Sequence, residues 1–276
     1  MNKISILFLL FLFSCSQPQI VERQTVQCWD GSVTDSLAKC PLQQKFVDAG
    51  DFKVSFAVTK KYAELRSVLQ EEVFDSTVQL LNSVFILPYD VQIVFSECKE
   101  VNAFYFPAQK QVVMCYELMN YFADLFEEFV DSDEEHGRAV LSATYFVFFH
   151  ELGHAVIDIF NLPVTGKEED AVDQLATVIL AEGSFEMQEA ALAGALFFGL
   201  SGVETDVQDL AFWDEHSLDL QRFFNVACWV YGSNSDFADP VLDVLPKERA
   251  IGCKEEYAQI KYSWFELLKQ HMKVEE

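Results

Sequence analysis

The chain has 276 residues and a net charge of −25, because 44 acidic residues outnumber 19 basic ones. A charge of this sign argues against nucleic acid and anionic lipid surfaces as partners. About half of the chain is hydrophobic (51%), including 26 phenylalanines, which is enough for a sizeable core. The composition predicts a globular protein whose charge serves mainly solubility.

The N-terminal residues predict export and lipid attachment. A short basic start precedes the apolar run Ile4–Phe13, which is too short to span a membrane. The run ends in Leu12-Phe-Ser-Cys15, which resembles the bacterial lipobox, where the cysteine is diacylglycerylated. We therefore predict a signal peptide at 1–14 and a lipidated polar tether at 15–26, which place the chain in the bacterial cell envelope, either periplasmic or surface facing. Membrane attachment would be through this lipid only; the alternative is a plain cleaved signal in which Cys15 has no role.

The six remaining cysteines predict three disulfides, as expected for an exported protein. They fall in three local clusters, so the simplest pairing is Cys28–Cys40, Cys98–Cys115 and Cys228–Cys253. A zinc site made of cysteines is disfavoured, because no C-x-x-C spacing occurs. Residues 27–48, rich in turn formers, are predicted to form a small disulfide-closed segment ahead of a main domain at 49–276.

The first part of the main domain has mixed patterns. Alternating hydrophobicity predicts a strand over 52–58, and helical periodicity predicts one long helix from Tyr62 to about Phe85. A second strand is predicted at Val91–Phe95. The segment Val101–Cys115 contains two extended runs around a proline-containing turn, which predicts a hairpin stapled at its open end by the second cysteine pair.

The rest of the chain has helical periodicity. His136 belongs to the solvated turn that begins with the acidic run 131–135, so we expect it to be a surface residue rather than a ligand. The predicted fold class is α+β and mainly helical, with a small mixed sheet. The predicted helices are Tyr116–Val130, Arg138–Phe160, 167–180, Ala190–Gly202, Asp214–Tyr231 and Glu255–Met272.

One of these helices carries the sequence H-E-L-G-H, with His150, Glu151 and His154. Residues four apart lie on one helix face, so both imidazoles can reach one metal ion, and this is a zinc ligand pair. Glu151 would lie beside the metal, where it can take a proton from a water molecule. The motif predicts metal-dependent hydrolysis with one Zn²⁺; the alternative is three ordinary polar groups on a half-buried helix.

A catalytic zinc needs a third protein ligand, and the acidic start of the next helix offers candidates. Acids are also favoured there by the helix dipole alone. The string Glu169-Asp-Ala-Val-Asp173 resembles the E-x-x-x-D of the gluzincins, the thermolysin-like and neprilysin-like peptidases. The resemblance implies that Glu169 binds zinc and that Asp173 orients His150. The gap after His154 is shorter than in those families, so Glu168 and Asp173 stay open as alternative ligands.

Two further segments resemble the neprilysin-like peptidases. Asn102-Ala-Phe-Tyr105 is similar to their N-A-[FY]-Y strand, which implies that Asn102 and the Ala103 backbone hold a substrate peptide as an added strand. Asp214 to Arg222 resembles their D-x-H-x-x-x-x-x-R. This implies that His216 stabilises the oxyanion, that Asp214 supports His216, and that Arg222 contacts a substrate carbonyl.

The resemblance covers residues 102–222 and implies a zincin-like core, in which the Asn102 hairpin is the edge strand of the sheet above the motif helix. The compact layout of the motifs is similar to that of a smaller group of bacterial exported metallopeptidases. The predicted function is zinc-dependent hydrolysis of a peptide or protein substrate. One alternative is a non-catalytic zinc-binding surface lipoprotein, which the presence of Glu151 argues against. Another is a metal-dependent hydrolase of a non-peptide bond, which the Asn102 strand argues against.

Overall fold

The computed structural model describes residues 25–27, 32–36, 39, 47–70, 73–203, 208, 210–234 and 244–273. The chain divides into two compact units, Met1–Lys45 and Phe46–Glu276. In the first unit, β1 (Val26–Gln27) pairs with β2 (Val33–Thr34) in an antiparallel ladder. The predicted signal peptide, the lipidation site Cys15 and the pair Cys28–Cys40 lie outside the described residues.

The second unit contains a four-stranded mixed sheet with the strand order β3-β4-β6-β5. β3, β4 and β6 are parallel, and β5 is antiparallel to β6. Val91, Ile93 and Phe95 of β4 are buried, as the alternating pattern of a central strand requires. β5 is an edge strand, as predicted for the hairpin. The bounds are β3 (Phe52–Phe56), β4 (Val91–Ser96), β5 (Ala103–Phe106) and β6 (Gln111–Cys115).

Two helices lie between β3 and β4 in the sequence, and a third follows β6. The region predicted as one long helix is described as two helical segments, α1 (Ala63–Gln70) and α2 (Val73–Val84). α3 (Tyr116–Phe126) starts directly after β6, and a 3₁₀ turn at Glu127–Phe129 follows it.

The motif helix α4 (Asp133–Phe160) starts earlier than predicted. The Ser132 hydroxyl accepts a hydrogen bond from the Glu135 N–H, and three acids occupy the first turn, where the helix dipole favours them. The acidic run is therefore part of the helix and not a turn. The predicted position of His136 in an exposed turn was wrong, because this residue is helical and half-buried, with its Nε2 2.7 Å from the Ala123 carbonyl oxygen.

The last part of the chain is helical, but one helix starts later than predicted. The Asp214 carboxylate accepts a hydrogen bond of 2.8 Å from the His216 N–H, a local turn that competes with helix formation. Asp214 and His216 therefore lie in a loop ahead of a helix and not on one. The remaining helices are α5 (Glu168–Ala181), α6 (Phe185–Val203), α7 (Asp219–Ser233), α8 (Lys247–Ala250) and α9 (Cys253–Leu268), followed by a 3₁₀ turn at Lys269–His271.

α4 is the central helix of the second unit and packs against α3, α5, α6 and the β5–β6 hairpin. Its most apolar window could cross a membrane by length and composition, but 67% of that window is buried inside the protein. Glycines permit the close packing. An added Cβ at Gly194 of α6 would lie 2.2 Å from the Phe146 ring of α4.

Two of the three predicted disulfides are present in the described part of the chain. Cys98–Cys115 joins the segment before β5 to the end of β6, with an S–S distance of 2.05 Å. Cys228–Cys253 joins α7 to α9. Disulfides persist in oxidising compartments, so these bonds indicate an exported protein.

Candidate metal centre

The motif side chains lie in the C-terminal half of α4. The rings of His150 and His154 are on the same face, with centroids 5.1 Å apart. His150 and Glu151 are buried, and His154 is half-buried. One helical turn between the two histidines accounts for this arrangement, so it follows from the spacing alone.

Helix α5 brings Glu169 to the two histidines. The Glu169 carboxylate oxygens lie 3.1 Å from His150 Nε2 and 3.3 Å from His154 Nε2. The loop before α7 adds His216, whose Nε2 is 3.0 Å from the same carboxylate. Three imidazoles from two distant segments therefore converge on one carboxylate.

Each of the three histidines also has a carboxylate at its outer nitrogen, Nδ1. An ionised carboxylate only accepts hydrogen bonds, so each Nδ1 carries a proton and each Nε2 is the nitrogen that faces inwards. Metal-binding histidines are oriented in this way. The pairs are His150 with Asp173 at 2.8 Å, His154 with Glu168 at 2.8 Å, and His216 with Asp214 at 3.0 Å.

Asp173 is the most buried of these carboxylates. Arg222 binds it in a bidentate manner, donating from Nε to one oxygen at 2.7 Å and from Nη2 to the other at 2.8 Å. Burial alone would raise the pKa of Asp173, but Arg222 and His150 outweigh burial and lower the pKa to about 2. The guanidinium of Arg222 also stacks on Phe198, 3.8 Å from the ring centroid. Asp173 is thus a fixed anion that orients His150.

The inward-facing atoms of the site meet at the Glu169 carboxylate. Burial would raise the pKa of Glu169, but the three imidazoles beside the carboxylate outweigh burial and hold the pKa far below its usual range. Its Oε2 is buried, yet no described residue donates a properly directed hydrogen bond to it. His150, Glu169 and His216 offer ligand atoms within 4.8 Å of one another. A buried carboxylate oxygen without a directed donor, beside imidazole nitrogens, fits a bound cation. Ligands of the imidazole and carboxylate types suit a divalent transition metal.

Glu151 lies beside this centre, on the wall of a cleft of about 240 Å³. Burial raises the pKa of the Glu151 carboxyl, which suits a group that exchanges protons. Asn102 and Ala103, at the start of the edge strand, also line this cleft, so the edge strand and the metal centre border the same cleft. The Asn102 side-chain oxygen accepts a hydrogen bond of 2.9 Å from the Ala103 N–H.

Several residues of the cleft were not found from the sequence. Phe146, Phe197 and Phe198 line it together with Tyr121, but apolar periodicity cannot separate the wall of a cleft from the core. Outside the cleft, the sequence did not indicate a role for Lys167, although a lysine at the start of an acidic helix is an unusual feature. Arg222 also lines the cleft, and its bond to Asp173 was not expected.

A family model described as "Putative metallopeptidase" matches residues 56–268. The chain belongs to this family. The matched range includes the edge strand, the motif helix and the loop that carries His216. No curated protein and no solved structure matches the chain. Membership in a metallopeptidase family means metal-dependent peptide hydrolysis, with a metal cofactor and a peptide or protein substrate.

Proposed function

We propose that the chain is a zinc peptidase of the gluzincin type, with His150, His154 and Glu169 as metal ligands and Glu151 as the general base. The observation that carries this proposal is the convergence of inward-facing imidazole nitrogens on one carboxylate, beside a buried glutamate. Imidazole nitrogens with one carboxylate are typical of catalytic zinc. When bound, the ion lowers the pKa of a coordinated water and polarises the substrate carbonyl.

The base in this mechanism is Glu151. Its carboxylate takes a proton from the attacking water and then donates it to the nitrogen of the leaving amine. Burial supports this role, because it makes protonation of Glu151 less costly than in water. Glu151 follows His150 directly in the helix, so it lies beside the ligands without being one of them.

His216 is proposed to stabilise the oxyanion that forms on the substrate carbonyl. It lines the cleft, and the Asp214 carboxylate accepts from its Nδ1–H. Asp214 thereby fixes the ring orientation and favours the imidazolium, whose Nε2–H can donate to the oxyanion. The neprilysin-like reading of this segment rests on that arrangement.

Asn102 and Ala103 are proposed to bind the substrate backbone, since β5 is an edge strand that borders the cleft. Arg222 has a double role in this proposal. It secures Asp173 behind His150, and it forms part of the cleft wall where a substrate carbonyl would lie.

The N-terminal assignments complete the proposal. The segment 1–14 would be an export signal, Cys15 the lipidated residue, 27–48 a small segment closed by Cys28–Cys40, and 49–276 a zincin-like peptidase domain. The two disulfides in the described residues support export into an oxidising compartment.

The function is tested by assaying a diverse peptide library before and after metal removal by a chelator, with zinc added back. We expect cleavage that disappears with chelation and returns with zinc. Glu151→Gln should keep the zinc and lose hydrolysis, because it removes the base and leaves the ligands intact. Glu169→Gln should lose most of the zinc. Turnover that is unchanged in Glu151→Gln would refute the mechanism, and zinc lost only in Asp173→Asn would refute the ligand assignment.

A further inference from the structure

Lys167 is placed against the local preferences of the helix that it precedes. It is the N-cap residue of α5 and makes no side-chain cap. N-caps prefer Ser, Thr, Asp or Asn, whose side chains accept from the first N–H groups, and a positive charge at this end opposes the helix dipole. A residue that breaks a local rule is often retained for function.

The contacts of Lys167 indicate what that function is. Its Nζ donates to two main-chain oxygens of the loop before α7, the carbonyl of Asp214 at 3.0 Å and that of His216 at 3.1 Å. Lys167 is therefore bound to both ends of the three-residue turn that carries the His216 imidazole.

A second tie comes from the same turn of α5. The Ser217 hydroxyl donates to Asp170 at 2.6 Å, so the residue after His216 is also fastened to this helix. Apolar packing contributes little to the loop, since Phe212 is 69% exposed and Trp213 is 85% exposed. A segment with few buried apolar contacts depends on its polar ties for a defined position.

We propose that Lys167 is a positioning residue that holds the His216 imidazole at the metal centre, an inference that rests on the proposed function of His216. Lys167 binds the backbone on both sides of the ring, Asp214 orients the ring itself, and Glu169 lies 3.0 Å from its inner nitrogen. Because α5 also carries Glu169, the same helical turn fixes both the proposed ligand and the proposed oxyanion donor. A shift of α5 would move the two together.

The first experiment compares Lys167→Met with Lys167→Arg in the zinc-loaded full chain. Methionine keeps the length and removes the donor, so kcat should fall about 10-fold to 100-fold, the usual effect of losing an orienting partner. KM and zinc content should change little, because the oxyanion contact exists mainly in the transition state. Arginine can still donate to two carbonyl oxygens and should restore most of kcat. Lys261→Met is the matched control, because Lys261 pairs with Glu182 away from the centre.

A double-mutant cycle separates positioning of His216 from a general loss of stability. If Lys167 acts through His216, Lys167→Met should have almost no further effect on kcat once His216→Ala is present. Multiplied effects in the double variant would overturn the proposal. A fall in kcat without rescue by arginine would overturn it as well.

Hydrogen exchange of the peptide that contains residues 210–218 gives a readout that needs no activity. We expect faster exchange in Lys167→Met than in the parent protein and in Lys261→Met, with Ser217→Ala showing a smaller increase in the same direction. Unchanged exchange would refute the positioning role even in an active enzyme. Faster exchange in a protein without peptidase activity would support the tie and refute only the proposed function.

Discussion

Gly153→Ala tests whether close contact between α4 and α5 assembles the metal centre. Gly153 lies between the two motif histidines, and an added Cβ would be 2.8 Å from Cβ and Cγ1 of Val172 and 3.3 Å from its Cα. Carbon atoms pack at about 3.5–4.0 Å, so the helices would have to separate by roughly 1 Å. Cα and Cβ of Val172 are fixed by the α5 backbone, so rotation of the side chain can move Cγ1 but cannot relieve the contact with Cβ. Glu169 is one turn from Val172 and would move with the helix.

The magnitude follows from two opposing effects. Alanine in place of glycine in a helix adds about 1 kcal/mol of stability, and overpacking a core removes about 1–3 kcal/mol. Gly137→Ala is the matched control in α4, because an added Cβ there meets nothing within 4 Å. Gly137→Ala should stabilise the protein by up to about 1 kcal/mol, and Gly153→Ala should be less stable than this control by about 1–3 kcal/mol.

The assay is urea unfolding of both variants, with the midpoint read at unchanged slope, together with zinc affinity measured by competition with a chelator. We expect Gly153→Ala to bind zinc at least about 10-fold more weakly, since misplaced orienting groups typically weaken binding by 10-fold to 100-fold. Equal stability shifts in the two variants, with zinc affinity unchanged in Gly153→Ala, would refute the argument that the helix contact sets the position of Glu169.

Three further predictions follow from other contacts. His216→Ala should lower kcat by about 10²–10³ with KM and zinc content unchanged; zinc loss would make His216 a ligand, and normal kcat would exclude the oxyanion role. Glu168→Ala should weaken zinc binding only about 10-fold, because Glu168 contacts the outer nitrogen of His154, and a loss as large as that in a Glu169 variant would make Glu168 the ligand. The hydrogen bond from Arg249 lowers the pKa of Glu256 below its usual 4.5. The ionised Glu256 therefore adds stability above about pH 4.5, and this stability is lost as the pH falls through the lower pKa of the folded state. The difference in unfolding free energy between the parent and Glu256→Gln should therefore shrink in acid, and a difference that stays constant from neutral to acidic pH would contradict this.

Local rules were sufficient for part of the protein. The spacing of His150 and His154 places both on one face of any helix, and the alternation of Val91, Ile93 and Phe95 suits a strand wherever it packs. The mainly helical α+β class, the mixed sheet, the edge position of the hairpin and two disulfides were predicted correctly. The helical class, the hairpin and the disulfides depend on periodicity or on residues near in sequence, whereas the edge position of the hairpin was implied by the family resemblance.

Short-range competition misled the prediction at two helix starts. Ser132 and the acids after it form a capped helix start and not a turn, whereas Asp214 folds back on the His216 N–H and delays a helix. Each outcome depends on a single side-chain hydrogen bond to the backbone. The pattern of apolar residues does not show whether such a bond forms.

Only the tertiary structure distinguished the acids of α5. The sequence left Glu168, Glu169 and Asp173 all open as ligands, and the structure gives them different neighbours. Glu168 contacts His154 Nδ1, and Glu169 lies at the inward-facing Nε2 atoms of the histidines. Asp173 contacts His150 Nδ1 and Arg222. The rotation of α5 about its own axis decides this. The contacts that accompany it are those of Val172 with the bare backbone of Gly153, and those of Lys167 and Asp170 with a loop about fifty residues away. Interactions between segments so far apart leave no periodic signal in the sequence, because periodicity reports only how one segment packs along its own axis.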